Sequence, residues 1–224
     1  MHPLIVVTGG TKGIGRAIAD RFVAEGFDAV VCARSVDGVE GPGLLPFAAD
    51  LATRAGVDAL VRYVHSLNRP VDVLVNNTGI FEPGQIHNEA DGTFERLMNT
   101  NVASAYHLTR GLVGEMIKRR QGHIFMMCST ASITAYTNGG SYCISKFALL
   151  GMSRVLREEL KTYDVKVTAM LPGATLTASW AGTDLPEDRF MKPEDVADSA
   201  WAAYTLSKSA VVEEVLIRPQ LGDI

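Results

Sequence analysis

Tyr142 and Lys146 stand four residues apart in the segment Ser141-Tyr142-Cys143-Ile144-Ser145-Lys146-Phe147, and Ser129 lies thirteen residues upstream of the tyrosine. Residues four apart on a helix share a face, so a helix here would hold a phenol and an ammonium together. A phenol titrates near ~10 and is a poor acid–base group at neutral pH. An ammonium fixed beside a phenol favours its ionised form. The chemistry open to such a pair is proton transfer to or from an oxygen, with a nearby serine hydroxyl to hold that oxygen. A Tyr–Lys pair is also common on solvated surfaces, so its meaning depends on what precedes it.

What precedes it is a nucleotide cradle. Leu4-Ile5-Val6-Val7-Thr8 is a short apolar run rich in β-branched residues and reads as a buried strand. Gly9-Gly10-Thr11-Lys12-Gly13-Ile14-Gly15 follows, and residues 16–25 carry apolar positions at helical spacing, with Gly26 as a C-terminal stop. Strand, glycine turn and helix is the context that a dinucleotide fingerprint requires. Glycine lets backbone approach a pyrophosphate, and a helix N-terminus offers free N–H groups and partial positive charge.

The glycine spacing is Thr8-Gly9-x-x-x-Gly13-x-Gly15, and in this the chain resembles the short-chain dehydrogenase/reductase family. Other landmarks of that family follow in order. Asn76-Asn77-Thr78-Gly79 stands where the family has N-N-A-G, with Thr78 as a departure. Asn101, Ser129, Tyr142 and Lys146 match its catalytic tetrad, and Pro172-Gly173 its P-G turn. Several stretches look most like bacterial sepiapterin-reductase-type members, while the general outline fits 3-oxoacyl-carrier-protein reductases as well.

The resemblance implies a carbonyl reductase. Tyr142 would be the general acid, and Lys146 would support it and hold the nicotinamide ribose. Ser129 would donate to the substrate oxygen, and Asn101 would support a water leading to Lys146. The cofactor would sit on Gly9, Thr11, Lys12, Gly13, Ile14 and Gly15. Asp50 and Leu51 would flank the adenine, Asn77, Thr78 and Gly79 the adenosine ribose. Thr175 and Thr177, after Pro172 and Gly173, would hold the carboxamide. An acidic residue after the second strand would bind a free ribose 2′-hydroxyl. The chain has Arg34 there and Lys12 in the glycine turn, two cations suited to a 2′-phosphate, so the expected cofactor is NADP(H).

These residues must be positioned by alternating strands and helices, which favour a parallel sheet covered on both faces. The expected fold class is α/β, one doubly wound Rossmann-type sheet of about seven strands, with residues 1–224 as a single NADP-binding domain. Strands are expected over residues 4–8, 29–32, 44–49, 71–75, 123–128, 165–171 and 211–217. Pro46 suggests an edge position for the third. Helices are expected over 16–25, 53–67, 141–163 and 193–205, with a long pattern over 91–120 broken near Asn99–Asn101. Residues 35–43 are rich in turn formers and read as a loop, leaving one sheet face less covered. The singled-out Gly9, Arg34, Asp50, Asn77, Ser129 and Pro172 all follow strand ends, where ligands bind in such sheets.

Composition narrows the partners. Among 224 residues, 47% are hydrophobic, enough for one large core, and the formal charge of −4 gives no reason to expect nucleic acid or an anionic membrane. No apolar stretch approaches the ~18–20 residues of a membrane span, and no secretory signal pattern opens the chain. The three cysteines and five histidines form no metal-like spacing, so no metal is expected. A cytoplasmic setting follows. The partner would be a small-molecule carbonyl substrate, chosen by the loop 174–191. The resemblance implies a homodimer or homotetramer, with Val102, Ala103, Ala105, Leu108, Leu112 and Met116 as a candidate apolar face. A catalytically weak nucleotide sensor or scaffold of the same fold is the alternative reading.

Overall fold

The computed structural model describes residues 2–180 and 182–224. Seven strands form one parallel sheet in the order β3-β2-β1-β4-β5-β6-β7. They are β1 (Leu4–Thr8), β2 (Asp28–Ala33), β3 (Leu44–Ala48), β4 (Val73–Asn76), β5 (Gly122–Met127), β6 (Val165–Pro172) and β7 (Glu214–Ile217). The helices are α1 (Gly13–Ala24), α2 (Arg54–Ser66), α3 (Thr93–Leu97), α4 (Ser104–Arg119), α5 (Gly140–Leu160) and α6 (Pro193–Tyr204).

Alternation along the strands builds two cores. Leu4 and Val6 face one way, packing with Leu60 of α2, Leu112 of α4 and Leu149 of α5. Ile5 and Val7 face the other way, onto Ile18 and Phe22 of α1 and Val196 and Ala200 of α6. On that side Phe22, Phe27, Trp201 and Tyr204 meet mostly edge to face. Three helices therefore cover one face and two the other. The connection from β2 to β3 contains no helix, and buried Val39 from that loop fills part of the gap. Pro46 does lie on the edge strand, opposite Val31.

Several boundaries differ from the sequence expectation. The long helical pattern is not broken at Asn99–Asn101, because a π-helical segment, Met98–Ala103, joins α3 to α4 without interruption. The wider turn absorbs the change of period that sequence reading takes for a break. α1 starts at Gly13, so the last part of the glycine turn is already helical. β4 and β7 start later than expected, at Val73 and Glu214. Of the candidate apolar face on the long helix, Ala105, Leu108, Leu112 and Met116 are buried in this chain's own core. The two remaining members, Val102 and Ala103, line a groove between α4 and α5.

Candidate active site at the carboxyl edge of the sheet

Strand order reverses between β1 and β4, and the glycine turn sits at that switch point. Gly9 takes φ +62°, and its N–H donates to the Cys32 carbonyl at 2.8 Å. A Cβ on Gly15 would fall 2.3 Å from the Gly9 carbonyl oxygen and 2.4 Å from Asn77 Nδ2, so the turn closes only on glycine. Thr8 Oγ1 accepts the backbone N–H groups of Asn77 and Thr78, both at 2.9 Å. Asn77 Nδ2 donates to the carbonyls of Thr8 at 2.9 Å and Gly9 at 3.2 Å. The Asn77 amide thus laces the turn to the end of β4, a role that sequence reading did not assign to it.

The first turn of α1 carries no acidic residue, and its N-cap, Lys12, makes no side-chain cap, so N–H groups there await another acceptor. Lys12 and Arg34 are exposed and, among the described residues, form no ion pair. By contrast, Arg16, Arg21 and Arg69 are paired with Asp20, Asp198 and Asp28. Thr11 and Ile14 of the turn are half-buried. Asp50 Oδ1 accepts the Ala52 N–H at 3.0 Å, and the Leu51 side chain is in the core.

Beyond β4 and β5 the expected tetrad comes together. Tyr142 and Lys146 lie on α5, with Lys146 Nζ 5.8 Å from the centre of the Tyr142 ring. Lys146 is buried and donates to the Met127 carbonyl at 2.8 Å, which anchors its charge against the end of β5. Ser129 caps the short turn Thr130–Ser132, which packs on α5. Its Oγ accepts the Ala131 N–H at 3.1 Å, so its own proton is free for another oxygen.

Asn101 sits in the π segment with 1% of its surface exposed. Its Oδ1 accepts the Ile80 N–H at 2.8 Å, while Nδ2 donates to the Ile80 carbonyl at 3.1 Å and to Ser145 Oγ at 2.9 Å. Ser145 Oγ in turn donates to the Tyr142 carbonyl at 2.7 Å. A Cβ on Gly79 would lie 3.4 Å from Asn101 Oδ1 and 3.6 Å from Lys146 Nζ, so all three converge.

Three residues with no motif of their own join the site. Phe81 packs edge to face on Tyr142, ring centres 4.9 Å apart. Tyr136 and the Cys143 thiol both lie against Gly139 at the start of α5, and burial is the main cause that raises the Tyr136 pKa. Glu89 receives the Ser141 N–H at 2.8 Å and the Ser141 hydroxyl, capping α5 one residue before Tyr142. After β6, Pro172 ends the strand and Gly173 N–H donates to the Ile217 carbonyl at 2.8 Å. Thr175 is buried, donating to the Gly173 carbonyl at 3.1 Å. The Thr177 methyl faces Gly13 across the turn, where a Cβ would approach it to 3.2 Å.

Burial pushes the thiols of Cys32 and Cys128 up to about 12 and about 11, which removes both as nucleophiles at neutral pH. Among the described residues, no helix is long and apolar enough to cross a membrane.

The family model for short chain dehydrogenases matches residues 3–187. A sepiapterin reductase of Chlorobaculum tepidum is 32% identical, the match covering 100% of this chain and 99% of that one. A metagenomic short-chain oxidoreductase solved in complex with NADP superposes with a TM-score of 0.85 at 29% identity, covering 97% of both chains. A 3-ketoacyl-(acyl-carrier-protein) reductase of Brucella melitensis, solved with NADH, gives a TM-score of 0.89 at 26% identity, also covering 97% of both chains.

Proposed function

The chain belongs to the short-chain dehydrogenase family, and from that premise we propose that it is an NADP-dependent carbonyl reductase in which Tyr142 gives the proton. The observation that carries this is the placement of a buried lysine over the ring of Tyr142 at the carboxyl edge of the sheet. The residues present fit a phosphorylated dinucleotide. The Gly9–Gly15 turn has no room for a side chain at Gly15, the start of α1 has uncapped N–H groups, and Lys12 and Arg34 have no ion-pair partner among the described residues.

When bound, NADPH supplies a hydride to the carbonyl carbon and is left oxidised. The protein's own residues do the rest. The developing alkoxide takes the phenolic proton of Tyr142, whose charge Lys146 then offsets. Ser129 directs its free hydroxyl proton at the same oxygen, where negative charge grows. Asn101 holds the Ile80 backbone and, through Ser145, the Tyr142 carbonyl, which sets the position of α5 relative to the site. Thr175 and Thr177, after Pro172 and Gly173, would hold the carboxamide. The substrate is a small ketone, a pterin side-chain ketone or a 3-oxoacyl thioester.

We place this activity in the cytoplasm, in a single unit spanning the chain, and in a homodimer or homotetramer. Support for assembly is a groove of about 650 Å³ between α4 and α5, lined by Val102, Tyr106, Met152, Val155 and Leu156.

The test is Tyr142→Phe, assayed for NADPH oxidation over a panel of diketones, pterins and acyl thioesters. Turnover should vanish while NADPH binding persists. Retained turnover removes Tyr142 from its role, and a wild type that binds NADPH but oxidises it with no carbonyl would point to a nucleotide sensor instead.

A further inference from the structure

Ser145 stands between Tyr142 and Lys146 on α5, with 0% of its surface exposed. Asn101 and Lys146 beside it are buried too. Water screens hydrogen bonds little in such surroundings, and a polar group left unpaired there is strongly unfavourable.

Chemistry fixes the direction of each bond. The Tyr142 carbonyl can only accept, so the Ser145 hydroxyl donates to it, at 2.7 Å. With its proton placed there, Ser145 Oγ can only accept from Asn101 Nδ2, at 2.9 Å. The Asn101 amide is oriented in turn by the Ile80 backbone, whose N–H meets Oδ1 and whose carbonyl meets Nδ2. One directed chain of bonds therefore runs from the loop after β4, through the π segment, to the backbone of the tyrosine.

That carbonyl has a second donor. The ladder of α5 directs the Lys146 N–H to the carbonyl four residues back, which is that of Tyr142. The serine hydroxyl and the lysine amide thus share one acceptor, in the turn that joins the phenol to the ammonium. A serine bonded back to the preceding turn bends its helix locally. A change in that bend moves the Tyr142 ring relative to Lys146 Nζ, which lies 5.8 Å from the ring centre and is anchored on the Met127 carbonyl. The same helix holds a comparison. Ser153, also buried, donates to the Leu150 carbonyl at 3.0 Å over the same three-residue reach. Among the described residues, no side chain of another element bonds to it.

We infer that Ser145 is a positioning residue for the proton transfer: its hydroxyl, aimed by Asn101, sets the turn that holds Tyr142 against Lys146. It acts through Tyr142 and not on the substrate. The inference rests on the reductase reading and adds a residue to it.

The test compares Ser145→Ala with Ser153→Ala in the full chain. Both remove one serine back-bond from α5, so a merely structural loss should look alike in the two. Ser145→Ala should lower kcat for a reduced ketone ~10-fold while Kd for NADPH stays within ~2-fold of wild type. The solvent deuterium isotope effect on kcat should rise, because the proton step becomes the slow one. In the free chain, amide hydrogen exchange over residues 142–147 should quicken at least ~5-fold, a readout independent of turnover. Ser153→Ala should leave all four measurements as in wild type. If the alanine variant does not fold, Ser145→Cys, which fills the same space with a weaker donor, carries the same readouts. An unchanged kcat, a fall in kcat with no rise in the isotope effect, or an equal loss in both variants overturns the inference and leaves the reductase intact. A wild-type chain that binds NADPH and oxidises it with no carbonyl overturns the reductase reading, and the inference with it.

Discussion

The Glu89 carboxylate accepts both the backbone N–H and the hydroxyl of Ser141, so a loop residue after β4 caps the helix that carries Tyr142. A carboxylate at a helix N-terminus also complements the helix dipole. The loop is pinned elsewhere too, by Asn101 at Ile80 and by Asn138 at Gly84 and Gln85. Phe81 rides on this frame against Tyr142. Removing the clamp should leave the residues present but misaligned. Glu89→Ala is expected to lower kcat by ~10- to 100-fold, the scale of a displacement of about an ångström at a reacting group. NADPH affinity should hold, and Glu89→Gln, which still accepts from the Ser141 N–H, should recover most of the loss. Stopped-flow hydride transfer alongside NADPH titration separates the two effects. A fall in nucleotide affinity equal to the fall in kcat would mean general unfolding instead of misplacement.

That clamp also marks the limit of what the chain reveals unfolded. Tyr142 and Lys146 are legible because helical geometry alone joins residues four apart. The sheet is legible because Leu4 to Val7 and their counterparts alternate between two cores. Glu89 and Ser141 are not, since no local period relates residues 52 apart. Asn101 was legible as a landmark, but its hold on Ile80 depends on a π segment whose period no helical pattern announces. The resemblance sets Asn77 at the adenosine ribose, but the bonds of its amide to the Thr8 and Gly9 carbonyls are not legible in sequence, because only the packed turn shows which acceptors lie within reach.

Arg34 bears on cofactor choice. It follows β2, is exposed and has no acidic partner among the described residues. A charge-assisted hydrogen bond to a phosphate is worth about 1.5–3 kcal/mol. Arg34→Asp should therefore weaken NADPH binding by ~10- to 100-fold and improve NADH relative to it. Fluorescence titration with both nucleotides measures this directly. A wild-type chain that binds NADH as tightly as NADPH would remove Lys12 and Arg34 from phosphate recognition.

Two glycines should respond to alanine in opposite directions. At Gly15 the new methyl meets the Gly9 carbonyl, a backbone atom that cannot step aside. Gly15→Ala should destabilise the chain by about 1–3 kcal/mol, as overpacking does, and abolish dinucleotide binding. At Gly114 in α4 the methyl meets nothing within 4 Å. Gly114→Ala should stabilise by about 0.5–1 kcal/mol, because alanine suits a helix interior better. Urea midpoints for both variants, with NADPH titration for the first, decide the matter.

His123 should dominate the response to acid. It is buried on β5, stacked on Phe125 at 4.1 Å between ring centres. Thr168 donates its hydroxyl to the Val212 carbonyl at 2.6 Å, so Thr168 Oγ1 accepts from His123 Nε2 at 2.8 Å. That assigns the proton to Nε2 and leaves Nδ1 buried without a partner. Burial, aided by the charge of Lys166, pushes the imidazole down to about 3 from its ordinary 6.5. Above pH 6.5 both folded and unfolded chains hold it neutral, and it contributes no pH dependence. Below that, the unfolded chain takes a proton that the folded chain refuses. Stability should fall by about 1.4 kcal/mol per pH unit between pH 6.5 and 3 from this one group. His123→Phe should flatten that slope in urea unfolding at pH 7, 6 and 5, even if it changes stability at pH 7. An unchanged slope would show that the ring is protonated in the folded chain, and that its burial is looser than the packing of Phe125 and Tyr204 around it implies.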